Sequence, residues 1–321
     1  MNPSRRQFLA AAAAATTATI AASHVAASGA SAASAAAQPT EFSYCLNTAT
    51  IRGQELGIEQ EVRVTAEAGY NAIEPWIGSL RKFVESGGVL KDLRSLISDS
   101  GLTVESAIGF AQWIADDEAA RMKGLDEARR DMEMLREIGG TRIAAPPVGA
   151  HNDGPKLDLM VVADRYRALL EIGDETGVVP QLEVWGFSRN LSRLGESVAV
   201  CVEAGHPKAC LLPDVYHIFK GGSDFAGLSL LSDSAIQVFH MNDYPSEPSR
   251  QEMNDSHRVF PGDGVAPLAD ILNMIGGHGR KVVLSLELFN RDYWQRDALE
   301  VAKTGLQKMQ SAVASIQPAN A

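Results

Sequence analysis

Residues that can bind a metal ion follow four apolar segments in the second half of the chain. The segments are residues 178–182, 210–213, 236–239 and 282–286, and the residues directly after them are Glu183, Asp214, His240 and Glu287. If the fold brings three carboxylates together, they repel one another and lose hydration, so a divalent cation is the natural way to stabilise them. Three oxygen donors and one imidazole favour Mn2+, Mg2+ or Co2+, while Zn2+ is also compatible.

Such a site could catalyse proton transfer beside a carbonyl group. A divalent ion bound to a carbonyl and its neighbouring hydroxyl polarises the carbonyl and stabilises the enediolate that forms when a carbon-bound proton leaves. Either Glu183 or Glu287 would remove the proton from one face, and the other would return it elsewhere.

The alternation of side chains along a strand predicts that these two carboxylates share an environment. Successive strand residues point to opposite faces. Glu287 therefore lies on the same face as Ser285 and Val283, while Glu183 lies on the same face as Gln181. In a barrel the opposite faces of these strands pack under helices, so both glutamates are predicted to point inward.

Eight apolar segments alternate with helical patterns from residue 41 onward. The predicted strands are residues 42–46, 72–76, 103–110, 142–146, 179–185, 209–214, 236–242 and 281–289. The predicted helices are residues 54–68, 90–100, 117–138, 157–176, 191–204, 267–275 and 297–316, with a weaker helix at 224–231. The helices that end at residues 68, 100, 138, 176 and 204 run into a glycine, which accepts the left-handed conformation that ends a helix. Eight such units in about 280 residues predict an α/β fold, a single-domain (β/α)8 TIM barrel over residues 38–321.

A doubly wound open sheet is the alternative fold. That fold would usually carry a glycine-rich nucleotide-binding loop after its first strand, whereas residues 47–50 read NTAT and contain no G-x-G-x-x-G. The barrel also explains the position of the candidate ligands, because reactive residues of such barrels lie at the C-terminal ends of the strands.

The first 37 residues have the composition of an export signal. Residues 1–40 contain no Asp or Glu, and SRRQFL at residues 4–9 resembles the twin-arginine motif. An Ala-rich, weakly apolar stretch and small residues follow, which suit cleavage after Ala37. Interspersed Thr, Ser and His residues argue against a stable membrane anchor. We therefore expect the twin-arginine machinery to export the folded chain to the periplasm or the outside of the cell.

Composition excludes several classes of protein. The chain has 40 acidic and 29 basic residues, a net charge of -11, and removal of Arg5 and Arg6 with the signal leaves 27 basic residues and a charge of -13. Such a chain repels nucleic acid, and we expect no nucleic-acid partner. Three separated cysteines provide neither a disulfide framework nor a thiolate zinc site.

Short motifs at the predicted strand ends resemble the sugar phosphate isomerase/epimerase superfamily, the xylose isomerase-like barrels that include ketose 3-epimerases, hydroxypyruvate isomerase and inosose dehydratases. The motifs are AGYNAIE at 68–74, LEVW at 182–185, PDVYH at 213–217, FHMND at 239–243, RVFPGDG at 258–264 and LE at 286–287. Their order and their positions on successive strands extend the resemblance over essentially the whole mature chain.

The resemblance implies roles for individual residues. By it the metal ligands are Glu183, Asp214, His240 and Glu287, the acid/base pair is Glu183 and Glu287, and the residues that contact substrate oxygens are His217 and Arg258. The alternatives for the last two are a helix cap for His217 and a salt bridge of Arg258 with Asp255 or Asp263.

The resemblance implies a metal-dependent isomerase or epimerase of a ketose or related keto-sugar. A dehydratase or lyase of an oxidised sugar or inosose would use the same metal-bound enolate and expel a β-hydroxyl. A carbohydrate-binding protein without turnover is the third alternative, against which the paired acid/base residues argue. A homo-oligomer is compatible with the sequence.

Further residues at strand ends are candidates for substrate binding. Glu74 would orient the substrate or bind Arg52. Three tryptophans, Trp76, Trp113 and Trp185, could form an apolar wall against a sugar ring, and Trp113 is the strongest candidate among them. Asp243, just beyond His240, is expected to support the ligands.

Overall fold

Parallel strands and helices alternate along the chain in the computed structural model, which describes residues 41–276 and 281–316. The strands are β1 (Glu41–Asn47), β2 (Ala72–Glu74), β3 (Thr103–Val104), β4 (Arg142–Ala145), β5 (Val179–Glu183), β6 (Leu211–Leu212), β7 (Val238–Met241) and β8 (Lys281–Leu286). The helices are α1 (Ile58–Ala68), α2 (Ile77–Glu85), α3 (Leu90–Asp99), α4 (Glu118–Glu137), α5 (Leu159–Thr176), α6 (Leu194–Glu203), α7 (Val215–Lys220), α8 (Leu268–Ile275) and α9 (Ala298–Ala314). Short 3-10 helices cover Thr48–Gln54, Phe225–Leu230, Asp255–His257 and Tyr293–Gln295.

The strands close into a barrel. One parallel ladder has the order β3-β2-β1-β8-β7, and a second has the order β4-β5-β6. A bridge between Asp214 and His240 joins the β6 and β7 sides, and the Ala144 N–H donates to the Ala107 carbonyl at 2.8 Å between the β3 and β4 sides. Every strand therefore neighbours the next one in sequence, and β8 neighbours β1, which confirms the predicted TIM barrel.

A small apolar layer fills the barrel interior below the strand ends. Its members are Cys45, Ala72, Ile108, Ala144, Leu212, Val238 and Val283. Because strand side chains alternate, residues two positions further along a strand also point inward. On five strands those residues are polar, namely Asn47, Glu74, Asp214, His240 and Ser285. The strand period thus places a polar layer directly above the apolar one, at the C-terminal end of the barrel.

The helices cover the outer face of the strands and bury a larger apolar cluster there. Leu286, fully buried on β8, packs so closely on α9 that a Cβ at Gly305 would lie 2.2 Å from its Cδ2 atom. Burying a leucine side chain contributes about 1.5–3 kcal/mol, so such contacts fix β8 and the residue that follows it. The predicted glycine stops are confirmed, for example at Gly69 and Gly177, whose φ angles are 95° and 76°.

The structure differs from the sequence pattern in its short elements. Neither α2 nor α7 is indicated by the pattern, because helices of nine and six residues offer few turns of periodicity. The predicted third strand, 103–110, pairs as β3 only at its start, and only Ile108 returns to bridge with Trp76.

Among the helices of residues 41–276 and 281–316, none combines the length and apolar character needed to cross a bilayer. The predicted export signal, residues 1–37, lies outside the described residues.

Candidate metal centre and active site

Three buried side chains at the strand ends converge on one point. Glu183 ends β5, His240 lies on β7, and Glu287 directly follows β8; one ligand atom from each lies within 4.8 Å of the others. In this group, Glu183 Oε2 and the imidazole Nδ1 of His240 form no hydrogen bond among the described residues, and Nδ1 lies 3.2 Å from the carboxylate oxygen Oε2 of Glu287. A buried polar atom without a partner is costly, and a divalent cation would satisfy both atoms. The donor set of two carboxylates and one imidazole therefore fits a divalent metal ion.

Glu74 orients the imidazole of this group. Its Oε2 atom lies 3.0 Å from Nε2 of His240 and also accepts from Ser285 Oγ at 2.6 Å and Asn47 Nδ2 at 2.9 Å. Burial opposes ionisation of Glu74, but His240 and these hydrogen bonds outweigh it and lower the carboxyl pKa. The Nδ1 atom of His240 consequently faces Glu287, 3.2 Å from its Oε2. Metal-binding histidines are commonly held by a carboxylate in this way.

Asn47 is a site residue that the sequence analysis missed. Its amide nitrogen donates to Glu74 and to Oε1 of Glu287 at 3.1 Å, while its amide oxygen accepts from the Trp76 indole at 3.0 Å. The available signal was its position at the end of β1, two residues beyond the inward-facing Cys45.

Asp214, predicted as a fourth ligand, lies beside the group of three with both oxygens engaged. Oδ1 accepts the backbone N–H of His217 at 2.7 Å and so caps α7, and Oδ2 accepts from Asn242 Nδ2 at 2.8 Å and from Arg258 Nη1 at 3.1 Å. Oδ2 lies 3.9 Å from Nδ1 of His240. Its role as a metal ligand stays a prediction.

Arg258 is a buried cation among the carboxylates, only 1% exposed. Its Nη1 atom lies 2.9 Å from Oε2 of Glu287 as well as near Asp214, and its Nη2 atom lies 2.5 Å from Asp255. Burial opposes its charge, but the carboxylates outweigh burial and raise its pKa. The salt bridge considered with Asp255 is therefore present, whereas Asp263 pairs with Lys308.

His217, predicted to bind substrate, lies next to Arg258. Its Nε2 atom is 3.0 Å from Arg258 Nη2, and because a guanidinium can only donate, Nε2 must accept. Burial and the neighbouring guanidinium lower the pKa of His217 to about 4, so the ring is neutral at neutral pH. Its other ring nitrogen, Nδ1, lies 3.4 Å from the backbone nitrogen of Gly186.

The two glutamates of the group have opposite ionisation tendencies before a metal binds. Burial and the charge of Glu287 raise the pKa of Glu183 to about 8. Burial also acts on Glu287, but His240 and Arg258 outweigh it and lower that pKa. Two carboxyl groups whose environments separate their pKa values are the usual basis of an acid/base pair.

The three tryptophans considered for the barrel mouth have different surroundings. Trp113 is 1% exposed, donates its indole N–H to the Pro146 carbonyl at 2.7 Å and packs on Tyr166, so its described contacts are those of a core residue. The substrate-binding role of Trp113 stays a prediction that these contacts do not support. Trp76 and Trp185 line the mouth instead, half-buried and in contact with Phe110. Whether a tryptophan after a strand enters the mouth depends on the loop path, which the sequence pattern does not reveal.

Asp243 holds the segment that carries Arg258. Its carboxylate accepts four backbone N–H groups, those of Tyr244, Gly262, Gly264 and Ala266, at 2.8–3.1 Å. Its own backbone bridges to Val259, the residue after Arg258. Asp243 was expected to support the metal ligands, and in the structure it supports the loop that carries Arg258.

Proteins of similar sequence include several enzymes. An inosose isomerase of Halalkalibacterium halodurans is 24% identical over 264 residues, covering 81% of this chain and 92% of that protein. A 3-dehydroshikimate dehydratase of Pseudomonas putida is 24% identical, and the match spans 78% of this chain and 39% of that protein. A 3-dehydro-D-guloside 4-epimerase of Escherichia coli is 26% identical, and the match spans 54% of this chain and 68% of that protein.

The fold is shared with solved structures, among them a crystal structure of the IOLI protein with a bound zinc atom. That structure superposes with a TM-score of 0.78 at 20% identity, over 86% of this chain and 99% of the other. A family model described as the xylose isomerase-like TIM barrel matches residues 62–312. This match covers well over half of the chain, which therefore belongs to the xylose isomerase-like TIM-barrel family.

Proposed function

We propose that this protein is a divalent-metal-dependent isomerase or epimerase of a ketose or a related keto-sugar. The observation that carries the proposal is the meeting of two buried glutamates, one ending β5 and one following β8, in a group where Glu183 Oε2 and His240 Nδ1 form no hydrogen bond among the described residues. A binding site for a neutral sugar needs no such pair, whereas moving a proton between two carbon positions does.

The chain's own residues account for binding and proton transfer. When bound, a divalent ion supplies polarisation of the substrate carbonyl and stabilises enediolate charge. Glu183 and Glu287 lie on strands separated by β6 and β7, so one can remove a carbon-bound proton while the other returns a proton at a second position. The Nε–H of Arg258 has no partner among the described residues and can donate to a substrate oxygen, while His217 Nε2 holds the same guanidinium in place.

The metal would be held by Glu183, His240 and Glu287, with Asp214 as the proposed fourth ligand. Mn2+, Mg2+ and Co2+ suit the oxygen-rich set, and the zinc atom in the related IOLI structure supports including Zn2+. The isomerase and epimerase among the relatives agree with the proposed reaction class.

Exchange of substrate hydrogen with solvent tests this proposal. Protein loaded with Mn2+ is incubated in D2O with a panel of ketoses and keto-sugars, and deuterium incorporation is followed by NMR. We expect incorporation by the wild type and a loss of about 10^2-fold or more in Glu183→Gln and Glu287→Gln. Glu203→Gln, an exposed carboxyl on α6, is the control and should retain the wild-type rate. Full turnover by Glu287→Gln would reject the proposal.

A dehydratase acting on an oxidised sugar or inosose is the second candidate. The similarity to a 3-dehydroshikimate dehydratase over 78% of this chain favours it as the alternative. The first proton removal is the same, but a β-hydroxyl then leaves, and the product has lost one water. Mass spectrometry of the same incubations separates the two reactions. A non-catalytic carbohydrate-binding protein would bind sugars and give neither signal.

We also propose that residues 1–37 act as a twin-arginine export signal, so that the mature chain from residue 38 reaches the periplasm or the exterior without a stable membrane anchor. The Arg5-Arg6 pair supports this proposal. Replacing both with lysine should retain the chain in the cytoplasm, and unchanged export would contradict it. A homo-oligomer stays a prediction that sedimentation of the purified chain would test.

A further inference from the structure

A series of aromatic rings lies at the barrel mouth, and five of its six members have no role in the proposed reaction. We call it the aromatic collar; its members are Trp76, Phe110, Trp185, Phe187, His217 and Phe289. Neighbouring ring centroids are 5.1–6.2 Å apart along the path from Phe289 through Trp76, Phe110, Trp185 and Phe187 to His217. These distances are typical of aromatic rings in contact.

Arg258 contacts both ends of the aromatic collar, Phe289 and His217. Its guanidinium carbon lies 5.0 Å from the centre of the Phe289 ring, and its Nη2 atom is 3.0 Å from His217 Nε2. The same guanidinium contacts Glu287, and the Trp76 indole is joined through Asn47 to Glu287. The aromatic collar is thus continuous with the candidate metal centre.

The backbone between Trp185 and Phe187, two members of the aromatic collar, packs closely on α7. Gly186 separates Trp185 from Phe187, and a Cβ at this position would lie 2.3 Å from the carbonyl oxygen of His217. A side chain at residue 186 would therefore displace the Trp185–Phe187 segment from α7.

Two members leave apolar surface open to solvent. Phe110 is 39% exposed and Phe187 is 44% exposed, in contrast to the core residue Trp113 at 1%. A phenylalanine ring offers an apolar face and no hydrogen-bonding group, so these two exposed rings suit an apolar, planar group.

Arg258 offers little attraction to an anionic group of a substrate. Arg258 already contacts Asp214, Asp255 and Glu287, three carboxylates that together exceed its charge. A divalent ion at the proposed centre would add two positive charges, but the four carboxylates Glu183, Asp214, Asp255 and Glu287 still exceed the total of +3 on that ion and Arg258. A phosphorylated sugar would meet this negative surplus, whereas an uncharged substrate would not.

We infer that the substrate is an uncharged keto-sugar carrying an apolar, planar substituent, such as an aryl group in glycosidic linkage, with the sugar ring at the metal centre and the substituent against Phe110 and Phe187. This inference rests on the proposed function, because that function places the sugar ring at Glu183 and Glu287.

Calorimetric binding to the Mn2+-loaded full chain tests the inference with two probes, phenyl β-D-glucoside and methyl β-D-glucoside. We expect the phenyl compound to bind at least about tenfold more tightly, because its ring covers exposed aromatic surface. The double variant Phe110→Ala/Phe187→Ala should remove this preference while retaining the wild-type metal content and circular dichroism spectrum. Phe110→Leu/Phe187→Leu, which keeps apolar bulk, should retain part of it. Leu230→Ala, at an 86% exposed leucine on the surface, is the control and should leave the preference unchanged.

Equal affinity for the two glucosides would overturn the inference, as would a phenyl preference that survives in the alanine double variant. Tighter binding of a keto-sugar phosphate than of either glucoside would overturn it as well. Failure of the proposed function is distinguishable, because it would abolish deuterium exchange while leaving the phenyl preference and its loss in the double variant intact.

Discussion

The Nε2 atom of His240 lies 3.0 Å from Oε2 of Glu74, and this contact turns the other ring nitrogen toward Glu287. The two residues are 166 positions apart in sequence, on β7 and β2, and both are completely buried. The contact explains why a carboxylate two strands away from the nearest ligand belongs to the site. It fixes the donor atom that His240 offers to a metal ion.

Glu74→Gln should weaken metal binding without removing a proposed ligand. A glutamine keeps the size of the side chain but loses the charge that holds the His240 ring, and loss of such supporting groups typically lowers metal affinity 10–100-fold. Titration of the metal-free protein with Mn2+ measures the Kd directly. Glu203→Gln on the exposed surface of α6 should bind like the wild type. A folded Glu74→Gln variant with unchanged Kd would show that the contact does not orient the ligand.

Gly264→Ala should destabilise the loop that carries Arg258. A Cβ at Gly264 would lie 2.3 Å from both Asp243 Oδ1 and the Tyr244 carbonyl oxygen, so the backbone must shift. We expect the free energy of unfolding to fall by about 1–3 kcal/mol, as for other overpacking substitutions. Gly195→Ala is a matched control in α6, where nothing lies within 4 Å of the added carbon, and it should be neutral or stabilising by up to about 1 kcal/mol. Urea denaturation measures both changes. If Gly264→Ala were as stable as the wild type, the close packing of Gly264 on Asp243 would not stabilise the loop.

Glu61 should make stability depend on pH. Burial raises the pKa of this α1 carboxyl from 4.5 to about 7, partly opposed by Arg52. Between these values the folded chain holds a proton that the unfolded chain has released, so stability falls as pH rises through this window. Glu61→Gln should match the wild type near pH 4.5 and exceed its stability at pH 8 by about 1–3 kcal/mol.

The exposed neighbour Glu59 provides the control for that measurement, since Glu59→Gln should leave the pH dependence unchanged. Denaturation of the three proteins at several pH values gives the comparison. A constant difference between Glu61→Gln and the wild type at all pH values would mean that Glu61 does not titrate as described.

Much of the barrel could be predicted because it depends on local patterns. The strand period of two places Asn47, Glu74 and His240 above small apolar residues on the same inward face, and glycines such as Gly177 mark helix ends through their backbone freedom. Short elements were missed because they offer too few turns of periodicity and begin at a single capping contact. The helix α7, for example, begins where Asp214 accepts the N–H of His217.

The connections inside the site could not be predicted from spacing. Arg258 reaches Asp214 across 44 residues, and Asn47 reaches Glu287 across 240. Which of several strand-end polar groups remain without a partner, and are therefore available to a metal ion, depends on these long-range contacts. The burial of Trp113 likewise depends on the loop that brings the Pro146 carbonyl to its indole.

The metal content of the purified chain shows whether Glu183, His240 and Glu287 form a metal centre. The purified chain, its Glu287→Gln and His240→Gln variants and the Glu203→Gln control are loaded with Mn2+, Co2+ or Zn2+, desalted and assayed by mass spectrometry, with circular dichroism to establish folding. We predict about one ion per chain in the wild type and the control, and loss of that ion in both site variants. A folded wild-type chain that binds none of the three ions, or site variants that retain a full equivalent, would contradict it.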